Sequence, residues 1–349
     1  MRLNSRERVL TTFAHQEPDH VPAWCGASAE FWEKAKGELG LDDEALRCFF
    51  GDDFRRVFAG YLGPEFPLQD PRAVCRTVFG VEREGFGYGQ PISHPLAGAT
   101  VDQVHAYAWP SAEWVDVSAI RETALAWQGE YAILGGDWSP FWHDAIDLFG
   151  MEELMVRMYT DPEAVDALFT HMVDYYYASS ERIFQAADGA IDIFFIGNDF
   201  GSQTGPLLGA ELFDRFVQPH LARLAKLGHD YGMKVMMHCC GGVRELIPSF
   251  ISAGIDGIHA VQPSCRGMVL AELKKKFGGR LVFNGAIDSH HVLIDGTPES
   301  VRQVTREVLE IMKPGGGYIC GASHDTILEE TPVENVIAMF DAVREFGGY

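Results

Sequence analysis

Short apolar runs alternate along this chain with longer segments of helical spacing. The apolar runs fall at 21–25, 53–62, 131–136, 191–196, 234–238, 256–261, 280–284 and 317–321. Each has strand length, and turn-forming residues close most of them, so each predicts a buried strand. Between the runs, apolar residues recur every three or four positions. This predicts helices at 4–15, 29–39, 42–50, 101–107, 116–128, 141–148, 150–158, 162–187, 209–231, 242–253, 269–277, 298–312 and 332–346. Asn4 or Ser5 can cap the first helix, with Glu7 three residues on, and Pro18 and Pro22 end it. Residues 73–90 mix aromatic and β-branched residues with frequent glycine, which predicts a small β-hairpin or meander inserted beside the main fold.

Alternating strands and helices imply a parallel sheet with helical crossovers. Eight such units in roughly 300 residues match a (β/α)8 TIM barrel, an α/β fold. An open doubly wound sheet would call for a G-x-G-x-x-G turn after an early strand, and none is present. No linker interrupts the pattern, so residues 1–349 are expected to form a single domain.

Composition narrows the choice of partners. The chain carries 28 Lys and Arg against 50 Asp and Glu, a formal net charge of -22, which disfavours nucleic acid and anionic membranes. Residues 1–20 have no apolar signal core, and no run of about 18 apolar residues exists to span a bilayer. Seven scattered cysteines, an odd number, suggest reduced thiols and a cytoplasmic enzyme.

A barrel of this type carries its chemistry where the strands end. The residues at those positions are Cys25; Asp137 and Trp138; Asn198, Asp199 and Gln203; His238, Cys239 and Cys240; Gln262; Asn284 and Asp288; and Cys320, Ser323 and His324. Taken singly, Asp and Asn there are common turn residues. As a set on one rim they point to a site. In K-V-M-M-H-C-C-G-G at 234–242, His238 and Cys240 stand two apart at a strand end and can aim at one point. Zinc takes about four such ligands, and a catalytic zinc keeps one position open. A further ligand must come from elsewhere, with Cys320 and His324 as candidates. Strand alternation turns Cys239 away from His238.

The chain resembles the uroporphyrinogen decarboxylase superfamily, which includes cobalamin- and coenzyme M-dependent methyltransferases. The resemblance runs from R-E-R-V-L-x-x-F-x-H-x-x-P-D-x-V-P at 6–22, through G-N-D-F-G-S-Q at 197–203 and H-C-C-G-G at 238–242, to P-G-G-G-Y-I at 314–319 and T-P-x-E-N at 331–335. It implies a (β/α)8 barrel. The methyltransferase branch further implies zinc held by His238 and Cys240 with Cys320 or His324, and Asp199 able to complete the shell. It also implies a small-molecule methyl donor or thiol acceptor and a corrinoid carried by a partner protein. Asp199, His324 and Asp137 are then the expected catalytic residues, and Asn198, Gln203 and Asn284 the expected cofactor contacts. The decarboxylase branch carries a His in the last loop, which His324 resembles, and would use Asp199 or Asp137 to stabilise a protonated pyrrole. That branch also has an R-Q-A-G-R segment for substrate carboxylates. Here 24–28 reads W-C-G-A-S, so decarboxylation of a tetrapyrrole ranks second.

Overall fold

Every apolar run from 131 onward forms a strand buried on both faces, as helices on one side and a filled interior on the other require. The computed structural model describes residues 2–64, 75–85 and 89–349. Its centre is a curled sheet of seven parallel strands: β1 (Phe54–Arg56), β2 (Ala132–Gly135), β3 (Ile193–Gly197), β4 (Lys234–His238), β5 (Gly257–Val261), β6 (Val282–Ile287) and β7 (Tyr318–Ala322), neighbours in that order. The register sets Gly197, His238, His259 and Asn284 side by side across β3 to β6.

Alternation along the strands separates two apolar cores. The inner one joins Trp24, Phe54, Leu134, Phe195, Met236, Val282 and Ile319. Val9 and Phe13, from helix Ser5–Phe13, complete it. That helix starts at a reciprocal cap between Asn4 and Glu7. The larger outer core lies between the sheet and the helices.

The sequence expectation fails at the seam. Residues 21–25 form no ladder strand. Ala23 makes one parallel bridge to Cys320, with Cys320 N donating to Pro22 O and Trp24 N to Cys320 O, both at 2.9 Å. On its other side Asp53 N donates to Ala23 O at 3.0 Å, while Ala23 N is taken by the Asp53 carboxylate at 2.8 Å. Pro22 has no N–H, and a side chain replaces a backbone acceptor, so pairing across the β7–β1 gap stays short.

Other differences are local. The run at 53–62 splits after β1, and Gly60–Tyr61 pairs antiparallel with Val115–Asp116. The long helix expected at 209–231 divides into Ala210–Phe216 and Gln218–Asp230, with Pro219 in the first turn of the second. The inserted meander is a three-stranded antiparallel sheet of Cys75–Arg76, Glu82–Glu84 and Gln90–Pro91. Residues 73, 74 and 86–88 of that expectation lie outside the described residues. Among the described residues no helix is long and apolar enough to cross a membrane.

Candidate active site

The site grows from the C-terminal ends of β3 and β4. After His238 the chain turns at Gly241, whose φ of 92° suits only glycine; a Cβ there would lie 2.5 Å from the Gly201 carbonyl carbon. This close approach seats the 201–206 hairpin behind the β4 turn. Gly197 leaves similar room, because a Cβ on it would fall inside the Trp138 ring. Trp138 thus lies over the end of β3 and tilts against the His238 ring at 5.7 Å.

Three donor types converge here. His238 Nε2 lies 3.1 Å from Cys240 Sγ and 3.3 Å from Asp199 Oδ1. The Cys240 amide donates to Asp199 Oδ1 at 2.7 Å, and His143 Nε2 stands 3.4 Å from Asp199 Oδ2. One ligand atom from each of Asp199, His238 and Cys240 lies within 4.8 Å of the others. On the far edge of the ring, His238 Nδ1 meets His259 Nδ1 at 3.1 Å, and Asp325 Oδ1 is 3.8 Å away. Asp199, His238, Cys240 and Asp325 border a cavity of about 480 Å³, walled also by Trp138, His143, Asp144, Asp147, His324 and the inserted meander.

The electrostatics follow from burial and neighbours. Burial alone would raise the Asp199 carboxyl, but His143, His238 and the Cys240 amide outweigh it and hold it far below the usual carboxylate range. Burial works against protonated His238; Cys240, Asp199 and Asp325 overcome it and push the imidazole well up. Burial raises the Cys240 thiol despite His238 beside it. His259, sealed among Trp24, Phe195 and His238, is pushed well down by burial. Imidazole, thiol and carboxylate on one point are the N, S and O donors zinc accepts, and three protein ligands leave a coordination position for substrate. The residues therefore fit zinc.

The profile of the uroporphyrinogen decarboxylase (URO-D) family matches residues 93–346, more than half of the chain. The chain belongs to the URO-D family. It is 27% identical over 276 residues to the methylated-thiol–coenzyme M methyltransferase of Methanosarcina mazei, covering 74% of this chain and 71% of that one. It is 22% identical over 196 residues to the methylcobamide:CoM methyltransferase MtbA of Methanosarcina acetivorans, covering 54% and 52%. The second match thus spans about half of that relative's length. A solved methyltransferase from Methanosarcina mazei superimposes with a TM-score of 0.67 over 99% of both chains at 19% identity, which shows a shared fold. These relatives set the chain on the methyltransferase side of the URO-D family.

Within this URO-D scaffold the predicted residues separate. His238, Cys240 and Asp199 come together. Cys320 does not join them. Ile319 occupies the inner core, so its neighbour Cys320 faces the outer one, fully buried, where burial drives its thiol up to about 12. His324 lines the cavity, but its Nδ1 contacts the Thr326 backbone at 3.2 Å. Asp137 opens onto an adjoining space of about 440 Å³ with Arg56 and Tyr175, and burial raises its carboxyl to about 6. Asn198 is a brace rather than a cofactor contact: fully buried, it accepts from Trp142 N at 2.9 Å and donates to Ser139 O at 3.0 Å. Gln203 is exposed on the 201–206 hairpin and is no part of the cavity wall. Asn284 points to the inner face of the curled sheet, where its Nδ2 lies 3.7 Å from Met236 Sδ.

Sequence reasoning passed over Asp325, His259, His143, Asp144 and Asp147. Asp325 directly follows His324 and was open to the same strand-end reading. The other signal was polarity at 143, 144 and 147 in the otherwise apolar helix Phe141–Phe149.

Proposed function

We propose that this protein is a zinc-dependent methyltransferase that moves a methyl group between a small donor or thiol acceptor and a corrinoid held by a partner protein. The observation that carries the reading is the convergence of Asp199, His238 and Cys240 at the edge of a cavity at the strand ends. We take the seven strands with residues 21–25 as the wall of a (β/α)8 barrel, which puts this cavity at its mouth.

Asp199, His238 and Cys240 would hold the metal. Bound zinc supplies a Lewis acid that lowers the pKa of a thiol or polarises the atom leaving the methyl group. The protein's part is to orient and exclude. His143 and the Cys240 amide keep Asp199 ionised and aimed. Trp138 forms an apolar wall beside His238 and keeps water from that side. The inserted meander, through Thr77, Gln90 and Pro91, covers the cavity from above.

Decarboxylation of a porphyrinogen fits less well. The cavity carries Asp144, Asp147, Asp199 and Asp325, and Arg83 is engaged with Asp147. The many carboxylates of such a substrate would meet like charge.

Two measurements test the proposal. Purified protein should contain about one zinc per chain by elemental mass spectrometry. It should also demethylate methylcobalamin in the presence of coenzyme M, followed by cobalamin absorbance, and Cys240→Ala should remove both properties. Protein free of zinc, or a Cys240→Ala variant with full activity, would sink it. Carboxyl loss from uroporphyrinogen would favour the other reading.

A further inference from the structure

His259 is not one of the three donors at the cavity edge; its ring forms a second close group with His238 and Asp325, in surroundings unusual for a core residue. It is fully buried, its ring packs tilted against Trp24 and edge-on to Phe195, and its Nδ1 meets His238 Nδ1 at 3.1 Å. Its Nε2 has no hydrogen-bond partner. On the next strand, at the same register, Asn284 is also fully buried, and its Oδ1 likewise has no partner. Two orphaned polar atoms inside one apolar core are costly, because each loses its water without gaining a partner. Native proteins rarely carry them without a reason.

We propose that His259, backed by Asn284, is a positioning residue that fixes the tautomer and tilt of His238. The proposal rests on the zinc reading above. A ring nitrogen that ligates a cation carries no proton. His238 Nε2 faces Cys240 and Asp199, so the proton of a neutral His238 ring must sit on Nδ1. Nδ1–H then donates to His259 Nδ1, the nearest acceptor, with the Asp325 carboxylate farther off at 3.8 Å. If His259 Nδ1 accepts, its own proton is on Nε2. The two orphans then become complementary: His259 Nε2 is a donor without an acceptor, and Asn284 Oδ1 is an acceptor without a donor. One buried water between the two strands would satisfy both. The reverse tautomer would protonate His238 Nε2 and block its lone pair; His259 would then donate from Nδ1, and its Nε2 and Asn284 Oδ1 would both be acceptors without a donor. Outer partners that orient a ligating histidine are typically worth about 10- to 100-fold in metal affinity.

Zinc affinity, measured by competition with a chromophoric chelator, tests this without any turnover. His259→Phe keeps an aromatic ring among Trp24 and Phe195 and removes the acceptor; it should bind zinc about 10- to 100-fold more weakly than the parent. His259→Gln restores an acceptor and should recover most of the loss, which a purely structural role would not predict. Asn284→Leu, with no contact to a donor atom, should weaken zinc by a smaller factor. It supplies the decisive arm if His259→Phe does not fold. Folded His259→Phe and Asn284→Leu proteins that hold zinc as tightly as the parent would overturn the inference. A parent protein that binds no zinc would overturn the zinc reading instead.

Discussion

The two faces of the seven-stranded sheet come from the same strands and hold opposite things. The outer face is largely apolar, with Arg55 buried against Glu44 as an exception, and carries Cys239 and Cys320 as buried thiols among helices. The inner face is apolar only up to the level of Phe195 and Met236. Beyond that level it presents His238, His259 and Asn284 from three adjacent strands, with Cys240 and Asp199 just past the strand ends. The same residue type therefore means different things: Cys240 faces an imidazole and a carboxylate, and Cys320 faces the outer core and the Tyr318 side chain. Spacing along the sequence does not separate them; side-chain direction does.

The sharpest way to break this contrast is to remove one thiol from each face. Cys240→Ala should lower zinc affinity by more than about 100-fold, since even outer partners of a ligand are worth about 10- to 100-fold. Cys320→Ala should leave zinc content and methyl transfer at the parental level. A Cys320→Ala protein without zinc would return that residue to the site and dissolve the contrast.

The boundary between the faces depends on Asn198. Replacing it with alanine strands Trp142 N and leaves Ser139 O with only the Phe141 amide, so unfolding in urea should show a loss of about 1–3 kcal/mol. A loss under about 0.5 kcal/mol would mean the brace is dispensable. Cys320→Ala should cost less, about 1–2 kcal/mol in the same assay, as expected for a small buried side chain.

A smaller effect belongs to the cavity wall. Asp144 is buried, and burial outweighs the hydrogen bond from Tyr176, raising its carboxyl from 3.8 to about 7. Between those values the folded chain keeps a proton that the unfolded chain has released, so this residue makes stability fall as pH rises across the window. Asp144→Asn should flatten that part of the melting-temperature profile. An unchanged slope between pH 4.5 and 7 would show that another group controls it.

Much of this was legible before any coordinates. Helices with strong periodicity and clear ends, such as Ala29–Leu39, Pro162–Ala187 and Pro298–Met312, fall where spacing and caps place them. His238 and Cys240 were legible because two ligand-type residues stand two apart at a strand end. The seam at 21–25 was not, because a strand reading cannot foresee the Asp53 carboxylate taking the place of a ladder acceptor. Asn198 and Gln203 looked like Asp199, since polar strand-end residues share one pattern whether they brace, face solvent or face a cavity.

By itself the sequence determined the βα rhythm, the parallel sheet and the imidazole–thiol pair. Those properties are local: they depend on periodicity, turn chemistry and residue type within a few positions. Tertiary structure decided which groups complete the site. Asp199 and Asp325 come to His238 across 39 and 87 residues of chain, and Cys320 is turned away by one step of alternation. Only the curl of the sheet sets those distances, because a side chain's partner on a neighbouring strand is fixed by register and not by sequence separation.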